Sequence, residues 1–341
     1  MTYPDGEVVE YEYNSRMMLD TVIGNATYVS DSQYDSAGRM TSRSLGNGLT
    51  QAFTYYDWNE KVNNIGQGGR LETLVTGALQ NLSYQYDAVG NVKQIANSIA
   101  GETSIYGYDD LNRLTSWTLN SITEEYSYDS QGNLDVKNGL DLEYEDANHV
   151  HAVTHIGSTQ KYWYDQNGNQ VTRIVGADTY TLVYDAENRM IEVKKNDVTM
   201  AQFDYNGDGQ RVKSIVNAET IYFAGGHFEL NATTSEVTKH YFAGMSRIAV
   251  RKYIVPQSTT LTYLLGDHLG STSLAVDAST GDVVETRYKP WGEVRWTTPS
   301  ETLPTRYTFT GQYSYMDDSA TDLGAAGFGL MFYNARWYDP L

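Results

Sequence analysis

The chain has 341 residues and no cysteine, and tyrosine is its outlier, with 29 residues against 8 phenylalanines and 6 tryptophans. The formal net charge of −19 argues against nucleic acid and anionic membrane surfaces as partners, because both require basic patches. The lack of cysteine excludes disulfides, thiolate zinc sites and cysteine nucleophiles.

The N-terminal segment 1–10 is polar and lacks the apolar stretch of a signal peptide. No apolar run in the sequence approaches the length of a transmembrane helix, so we expect no membrane insertion. Tyr3-Pro4-Asp5-Gly6 predicts a turn inside a repeat. We therefore expect the chain to begin in the middle of a longer polypeptide.

A short unit recurs along the first two thirds of the chain. Its tyrosine is followed by Asp, Asn or Glu and, four residues after the tyrosine, usually by Gly or Asn. The tyrosines that begin these units are Tyr13, Tyr34, Tyr56, Tyr86, Tyr108, Tyr128, Tyr144, Tyr164, Tyr184 and Tyr205, mostly about 20 residues apart. Met17 and Glu60 break the Gly/Asn rule, and a degenerate unit is expected near Gly69-Arg70-Leu71.

The spacing within the unit predicts a β-turn between two paired strands. A type I turn prefers Asp or Asn at its first position, and Gly or Asn enters the left-handed region that follows at little cost. Aromatic residues alternate before the turns, as in Tyr84/Tyr86 and Tyr106/Tyr108, which places them on one face of a strand. The residues expected to form the turns are Tyr34, Asp35, Gly38; Tyr86, Asp87, Gly90; Tyr108, Asp109, Asn112; Tyr128, Asp129, Gly132; Tyr164, Asp165, Gly168; and Tyr184, Asp185, Asn188.

One such hairpin is marginal in water, so successive hairpins must stack into a continuous sheet. The predicted fold class is therefore all-β: a curved or spiralling antiparallel sheet of hairpin repeats with little helix. The units Tyr86-Asp87-Ala88-Val89-Gly90-Asn91 and Tyr184-Asp185-Ala186-Glu187-Asn188-Arg189 resemble the YD repeats of bacterial Rhs and wall-associated proteins. The same repeat occurs in the C component of Tc toxins and in teneurins, and the resemblance covers the whole chain.

After about Asn217 the YD units no longer recur at regular spacing, while short strand-like segments separated by turns continue. This region is similar, in motif order and spacing, to the Rhs-associated core segment. We therefore divide the chain into a YD-repeat sheet, 1–216, and a core segment, 217–341, that continues the sheet and closes one end. The core-segment residues singled out are Asp267, His268, Gly270, Trp291, Gly292, Gly311, Arg336, Tyr338, Asp339 and Pro340.

The resemblance implies a hollow β-shell whose core segment plugs one end and which encloses a toxin or other cargo polypeptide. In relatives, an aspartate-containing motif beyond the point that corresponds to Leu341 drives self-cleavage. That motif does not follow Asp339-Pro340-Leu341 in this chain, so we predict no enzyme activity and no catalytic residue.

Three local patterns suggest ligand or catalytic chemistry. Turn chemistry accounts better for the first two, and the match to the core segment accounts better for the third. Asp204, Asn206 and Asp208 resemble the start of a calcium loop, but Ile215 stands where a bidentate acid is needed. Asp165-Gln166-Asn167 is interpreted in the same way. Asp267, His268 and Ser271 suggest a hydrolase, yet no Gly-x-Ser-x-Gly exists in the chain.

Two clusters of titratable residues are further candidate sites. His149 and His151 would share a strand face with His155 beyond them, but without a nearby acid we predict surface or half-buried histidines and no metal or cofactor. Asp317, Asp318 and Asp322 are expected to be a solvated acidic loop.

The predicted function is that of a structural scaffold, which walls off a cargo polypeptide or forms part of a secreted or cell-surface assembly. Two alternatives stay open: a carbohydrate-binding module that uses exposed Tyr and Trp, and a self-assembling subunit that pairs through open sheet edges. The expected partner is an enclosed polypeptide or the rest of a longer chain. The expected source is bacterial, and the expected location is secreted or at the cell surface.

Overall fold

The computed structural model describes residues 1–254, 258–321, 323 and 327–340. Within these residues the regular structure is 34 β-strands and one short 3-10 turn, Phe309–Gly311. The all-β, antiparallel fold class with little helix is therefore confirmed. No helix in the described residues is long and apolar enough to cross a membrane.

A first sheet of fifteen strands takes up the N-terminal part of the chain. Its strands and a small separate hairpin (β6 and β7) are β1 Glu10–Tyr13, β2 Leu19–Ile23, β3 Thr27–Tyr34, β4 Met40–Leu45, β5 Thr50–Tyr55, β6 Lys61–Val62, β7 Ile65–Gly66, β8 Leu71–Thr76, β9 Gln80–Tyr86, β10 Val92–Asn97, β11 Glu102–Tyr108, β12 Leu114–Leu119, β13 Ile122–Tyr128, β14 Leu134–Lys137, β15 Leu140–Glu143, β16 His155–Ile156 and β17 Thr159–Gln160. Apart from the separate hairpin, each strand pairs with its neighbours in chain order.

A second sheet of fourteen strands, β18 to β31, follows the same simple order, and β32 to β34 form a three-stranded sheet. These strands are β18 Tyr162–Tyr164, β19 Gln170–Val175, β20 Asp178–Tyr184, β21 Met190–Lys195, β22 Val198–Tyr205, β23 Arg211–Val216, β24 Glu219–Ala224, β25 Phe228–Asn231, β26 Glu236–Ala243, β27 Ser246–Ile254, β28 Ser258–Gly266, β29 Thr272–Asp277, β30 Val283–Tyr288, β31 Val294–Thr297, β32 Tyr313–Tyr315, β33 Leu330–Tyr333 and β34 Arg336–Tyr338.

Two kinds of turn alternate along the first sheet. One kind follows the repeat tyrosines, where the strand register shifts by one residue, for example between Gly107 and Tyr108. The other kind is a two-residue connection such as Asn120-Ser121, whose φ angles of 46° and 79° are both positive. Positive φ at both central residues is typical of the type I′ turn that suits the twist of paired strands.

The chain forms two compact units. One comprises Tyr11–Ile23 and Val29–Lys161, and the other comprises Met1–Glu10, Gly24–Tyr28 and Tyr162–Leu341. The first unit has a core of Tyr56, Leu74, Tyr84 and Tyr86. The second has a larger core in which β20 to β24 pack against β32 to β34, through residues such as Phe203, Phe223, Tyr313, Tyr315 and Phe328.

The second unit holds its N-terminal segment through a buried ionic cluster. The ammonium group of Lys239 contacts Glu7 and lies 2.8 Å from a carboxylate oxygen of Asp5. Tyr28 and Tyr241 stack with ring centroids 3.7 Å apart, and both hydroxyls donate to the Glu7 carboxylate, at 2.7 and 2.9 Å. A buried lysine and glutamate are tolerated here because each has charged and hydrogen-bonding partners.

The predicted domain boundary between residues 216 and 217 lies in the connection between β23 and β24. These two strands pair directly, through Val216 and Glu219, within one sheet. The division into a repeat sheet and a core segment therefore stays a prediction about sequence pattern.

Candidate functional site: the YD turns and the core segment

The turn after Tyr108 shows how the repeat sequence works. The Asp109 N–H donates to the Arg113 carbonyl and the Asn112 N–H donates to the Asp109 carbonyl, both at 3.0 Å. The Oδ1 atom of Asp109 accepts the N–H groups of Leu111 and Arg113, at 3.0 and 2.9 Å. Asn112 has a φ of 61°, in the left-handed region. The aspartate thus satisfies the turn's backbone donors, and the Gly/Asn position supplies the backbone reversal.

The second carboxylate oxygen of the turn aspartate binds the side chain four residues later. Arg113 Nε donates to Asp109 Oδ2 at 2.7 Å, and Asn91 Nδ2 donates to Asp87 Oδ2 at 2.8 Å. This bond explains why Arg or Asn follows the Gly/Asn position. The backbone hydrogen bond from Arg113, followed by the side-chain bond from the same residue, lowers the pKa of Asp109. An ionised aspartate is therefore part of the folded turn.

The same carboxylate-to-backbone bonds occur in the other sequence-predicted turns. They are made by Asp35, Asp87, Asp129, Asp165 and Asp185. Positive φ angles occur four residues after the tyrosines, at Gly38, Gly90, Gly132, Gly168 and Asn188. That these turn residues together form a functional site remains our proposal.

The repeat tyrosines link each unit to the preceding one. The Tyr108 hydroxyl donates to the carbonyl of Val92, the first residue after the previous turn, at 2.9 Å. Corresponding bonds, between 2.6 and 2.9 Å, join Tyr34 to Leu19, Tyr86 to Leu71, Tyr128 to Leu114, Tyr144 to Leu134 and Tyr205 to Met190. Tyrosine is therefore preferred over phenylalanine because its hydroxyl satisfies a backbone acceptor one unit away.

The turn arginines also contact the tyrosine of the following unit. Arg113 lies over the Tyr128 ring, with its guanidinium carbon 4.3 Å from the ring centroid. Arg39 has the same relation to Tyr55, also at 4.3 Å. One guanidinium therefore pairs with its own turn aspartate and stacks on the next tyrosine, which joins neighbouring units.

Two units depart from the sequence pattern in informative ways. Met17, which breaks the Gly/Asn rule, still adopts a φ of 59° because the Asn14 side chain accepts the same turn N–H groups. In the long interval, Tyr55 and not Tyr56 makes the link to the preceding unit, donating to Met40 at 2.8 Å. Tyr56 N–H donates to the Arg70 carbonyl, so Gly69-Arg70-Leu71 closes this same unit rather than a separate one.

The turn geometry continues into the core segment, where the sequence pattern fades. Asp267 Oδ1 accepts the N–H groups of Leu269 and Ser271, both at 2.9 Å, and Gly270 has a φ of 80°. Turns with the same backbone bonds lie at Lys289–Glu293 and Thr308–Gln312. Each of these turns has a glycine three residues after its first residue, at 270, 292 and 311. This glycine is the sequence signal from which the turns could be predicted.

The tyrosine link also persists there. The Tyr288 hydroxyl donates to the Thr272 carbonyl at 2.8 Å, which is the relation seen between successive YD units. Gly292 has a φ of 103°, and a Cβ atom at this position would lie 2.6 Å from the Phe309 ring. Glycine is therefore required at residue 292 both by backbone conformation and by space.

The end of the core segment is fastened to the second sheet by a buried arginine. Arg173, whose side chain is fully buried, lies 2.9 Å from a carboxylate oxygen of Asp339. Its Nη1 atom lies 3.4 and 3.3 Å from the carbonyls of Phe328 and Gly329. Tyr338 donates to the Trp291 carbonyl at 2.7 Å.

The remaining residues singled out near this end differ in exposure. Arg336 is exposed, and Pro340 is buried. His268 is exposed within the Asp267 turn. Leu341 lies outside the described residues.

Comparisons with known proteins agree with these repeats. The RHS repeat family model matches residues 86–121. The structure of TcdB2-TccC3-Cdc42 matches with a TM-score of 0.76 and 19% identity, over 98% of this chain and 19% of that chain. No curated protein matches the chain in sequence. The chain therefore contains an RHS repeat, and its fold matches that of the TcdB2-TccC3-Cdc42 structure.

Two further solved structures match the fold over nearly the whole chain. A Tc holotoxin pore of Photorhabdus luminescens with a substituted TccC3 has a TM-score of 0.76 at 20% identity, over 99% of this chain and 19% of that chain. TcdB2-TccC3 without its hypervariable C-terminal region gives 0.74 at 19% identity, over 98% and 19%. The chain spans about a fifth of the length of these matched chains.

Turn and backbone contacts also occupy the residues of the calcium-like and hydrolase-like patterns. Asn206 Oδ1 accepts the N–H groups of Asp208 and Gln210, at 3.0 and 2.9 Å, as a turn residue does. Ser271 is fully buried, and its Oγ atom accepts the Thr310 N–H at 3.1 Å.

The acidic loop is less solvated than expected. Asp317 is exposed, but Asp318 is half-buried and accepts the Ala320 N–H at 2.9 Å. Burial raises the pKa of Asp318. Asp322 lies outside the described residues.

The histidines do not lie on one strand. His149 and His151 occupy a turn region between β15 and β16, where their ring nitrogens contact Asp146 and Asn133, at 2.8 and 2.7 Å. His155 instead begins β16 and pairs across the sheet with Glu143. Sequence reasoning missed this acid because residues twelve apart are joined only by the pairing of β15 with β16.

Proposed function

We propose that this RHS-repeat chain forms part of the wall of a structural β-shell, which separates an enclosed polypeptide from its surroundings. The observation that carries the proposal is the fold match to TcdB2-TccC3 structures over 98% of the chain. Because the chain spans 19% of those chains, it supplies part of such a wall.

The side-chain chemistry supports a structural role. The turn aspartates bind their own backbone, the tyrosine hydroxyls bind the carbonyl of the preceding unit, and the arginines bridge the two. Groups that are committed to structural hydrogen bonds are not available as general acids, bases or nucleophiles. We therefore propose that the YD residues maintain the wall and perform no catalysis.

The two faces of the strands differ, as a wall between two environments requires. In β9, Tyr84 and Tyr86 are buried, while Asn81, Ser83 and Gln85 on the alternate positions are partly exposed. The formal net charge of −19 is accounted for by solubility and would also suit a basic polypeptide as the enclosed cargo. A secreted or cell-surface location and a bacterial source belong to the same proposal.

Protease protection tests the proposal directly. The longest reading frame that contains these 341 residues is expressed and digested at increasing guanidinium concentrations, and the polypeptide downstream of the RHS-repeat segment is followed. We expect that polypeptide to survive until the sheet unfolds, and to be cleaved rapidly when it is produced alone. Equal cleavage rates in the two settings, with the sheet still folded, would exclude an enclosing role.

The two alternative functions receive less support. Among the described residues the exposed large aromatic side chains are Tyr13, Trp58, Tyr222 and Trp296, which lie on four different segments and form no stacked row. Terminal strands such as β17, with two residues, offer short edges for pairing with another chain. We therefore favour the shell over glycan binding or filament formation.

A further inference from the structure

The Tyr144 unit uses its acidic residue differently from its neighbours. Glu145 stands where Tyr108 and Tyr128 are followed by a turn aspartate. Here the next residue, Asp146, caps the turn: its Oδ1 accepts the Asn148 N–H at 2.9 Å and its Oδ2 contacts His149 Nδ1 at 2.8 Å. The Glu145 carboxylate takes no part in this turn, and its side chain is 64% exposed.

Strand pairing brings a second acid and a histidine to the same place. Glu143 at the end of β15 is the direct partner of His155 on β16. Glu145 follows Glu143 by two residues. Tyr144, between them, donates a hydrogen bond from its hydroxyl to the Leu134 carbonyl. A carboxylate oxygen of each glutamate and a ring nitrogen of His155 all lie within 4.8 Å of one another.

The hydrogen bonds of Thr154 are compatible with a proton on Nδ1 of His155. The Thr154 hydroxyl donates to the Glu143 carbonyl at 3.0 Å and accepts the Glu145 N–H at 3.0 Å. With that hydrogen on the Glu143 carbonyl, the hydroxyl oxygen accepts the proton of His155 Nδ1, which lies 2.9 Å away. In a neutral imidazole this leaves Nε2 unprotonated, with a lone pair that can bind a metal ion.

That lone pair faces another acceptor. His155 Nε2 lies 3.6 Å from Glu145 Oε2, which is too long for a hydrogen bond. A zinc ion binds imidazole nitrogen at about 2.0–2.1 Å and carboxylate oxygen at about 2.0–2.2 Å. Two such ligands 3.6 Å apart subtend an angle of about 120° at the ion, close to tetrahedral geometry.

We propose that Glu143, Glu145 and His155 form a binding site for a divalent transition-metal ion of the zinc class, with His155 binding through Nε2. One imidazole with two carboxylates suits zinc, whereas calcium and magnesium prefer oxygen ligands alone. The exposure of Glu145 leaves a ligand position open to water. In the metal-bound site the Thr154 hydroxyl would accept the Nδ1 proton and hold the imidazole in the required tautomer, as outer-shell partners of metal-binding histidines do.

The site lies where the strands of the first sheet are shortest. β16 and β17 have two residues each, so few backbone hydrogen bonds hold them. An ion bound by β16 and by the end of β15 cross-links these strands. This role is independent of whether the shell encloses a cargo.

Calorimetric titration of the full 341-residue chain, stripped of metal and free of any affinity tag, tests the site. We expect one zinc ion per chain, no comparable binding of magnesium, and a higher melting temperature with zinc. Glu145→Gln should weaken zinc binding at least about tenfold because it removes the carboxylate charge, and His155→Asn should do the same because it removes the imidazole nitrogen. Glu125→Gln, at an exposed acid on β13, is the matched control and should bind as the parent does. Unchanged zinc affinity in both ligand variants would overturn the proposal.

Nitrogen-15 NMR of histidine-labelled protein provides a second readout that does not depend on how the variants fold. In the metal-free chain the His155 ring should carry its proton on Nδ1, and zinc should shift the Nε2 resonance. A proton on Nε2 in the metal-free protein at pH 7.5, or a zinc-insensitive Nε2 signal, would contradict the geometry on which the site depends.

Discussion

The hydroxyl of Tyr108 donates a hydrogen bond to the backbone carbonyl of Val92, 2.9 Å away and one repeat earlier in the chain. Strand β10, which begins at Val92, lies beside β11, which ends at Tyr108. The bond therefore ties the residue before one YD turn to the residue after the preceding YD turn. Because the same relation recurs along the sheet, the tyrosine of each unit stabilises its neighbour as well as itself.

Removal of this hydroxyl gives the first prediction. Tyr108→Phe keeps the ring but leaves the Val92 carbonyl without its partner, so we expect a loss of about 1 kcal/mol in the free energy of unfolding. Urea denaturation of the parent and the variant measures it. Tyr13→Phe is the control: the Tyr13 side chain is 56% exposed, so its loss should stay within about 0.5 kcal/mol. Equal effects of the two substitutions would show that the interstrand bond contributes nothing.

The backbone reversal in the turn gives the second prediction. Gly132 has a φ of 91°, and a Cβ atom would meet nothing closer than 3.9 Å. Gly132→Ala should therefore destabilise the fold by about 1–2 kcal/mol through backbone conformation alone. Gly207→Ala, at a turn glycine without positive φ and with open space, should be neutral or slightly stabilising. Thermal denaturation of both variants checks this difference, and a similar loss at both positions would refute the conformational argument.

The same reasoning predicts a gain of stability at Met17. This residue adopts a φ of 59° and is 79% exposed, so its side chain contributes little packing in return for the strained backbone. Met17→Gly relieves about 1–2 kcal/mol of strain but makes the unfolded chain more flexible, so a net gain of about 0.5–1 kcal/mol is expected. Met18→Gly is a comparison at a half-buried neighbour, where loss of stability is expected. A destabilised Met17→Gly variant would mean that the side chain has a role not visible in these contacts.

Turn chemistry made much of the fold predictable from the sequence. Asp109 and Asn112 define their turn through bonds that span four residues, so local spacing was sufficient. The prediction that Tyr56 begins a unit was wrong by one residue, because the insertion before Arg70 hides which of two adjacent tyrosines faces Met40. Contacts between distant segments had no local signal.

The fourth prediction concerns such a distant contact, between Arg173 and Asp339. Arg173 has a fully buried side chain, and Asp339 retains 23% of its side-chain exposure. Asp339→Asn removes the charge that compensates the guanidinium, so we expect a loss of about 2–3 kcal/mol, less than for a fully buried pair. Asp178→Asn, in the surface pair with Lys195, should cost below about 1 kcal/mol. Urea denaturation distinguishes the two, and an Asp339→Asn loss as small as the surface value would mean that the pair is not coupled in solution.

The last prediction follows from a buried histidine. His240 is 1% exposed, and its Nε2 atom lies 3.0 Å from Glu229 Oε1. Burial, with smaller contributions from the charges of Arg247 and Lys252, lowers the pKa of His240 from 6.5 to about 4, against the opposing effect of Glu229. Folding therefore favours the neutral ring.

The sign of the pH dependence is determined by this shift. Because the unfolded chain binds a proton at His240 more readily, the contribution to stability is complete above about pH 6.5 and is lost as the pH falls towards about 4. A shift of this size corresponds to a few kcal/mol. The free energy of unfolding, measured in urea at pH 7.5, 6 and 5, should decline in the parent and decline less in His240→Gln, whose amide can still donate to Glu229. Parallel pH profiles for the two proteins would show that His240 is not held neutral by the fold.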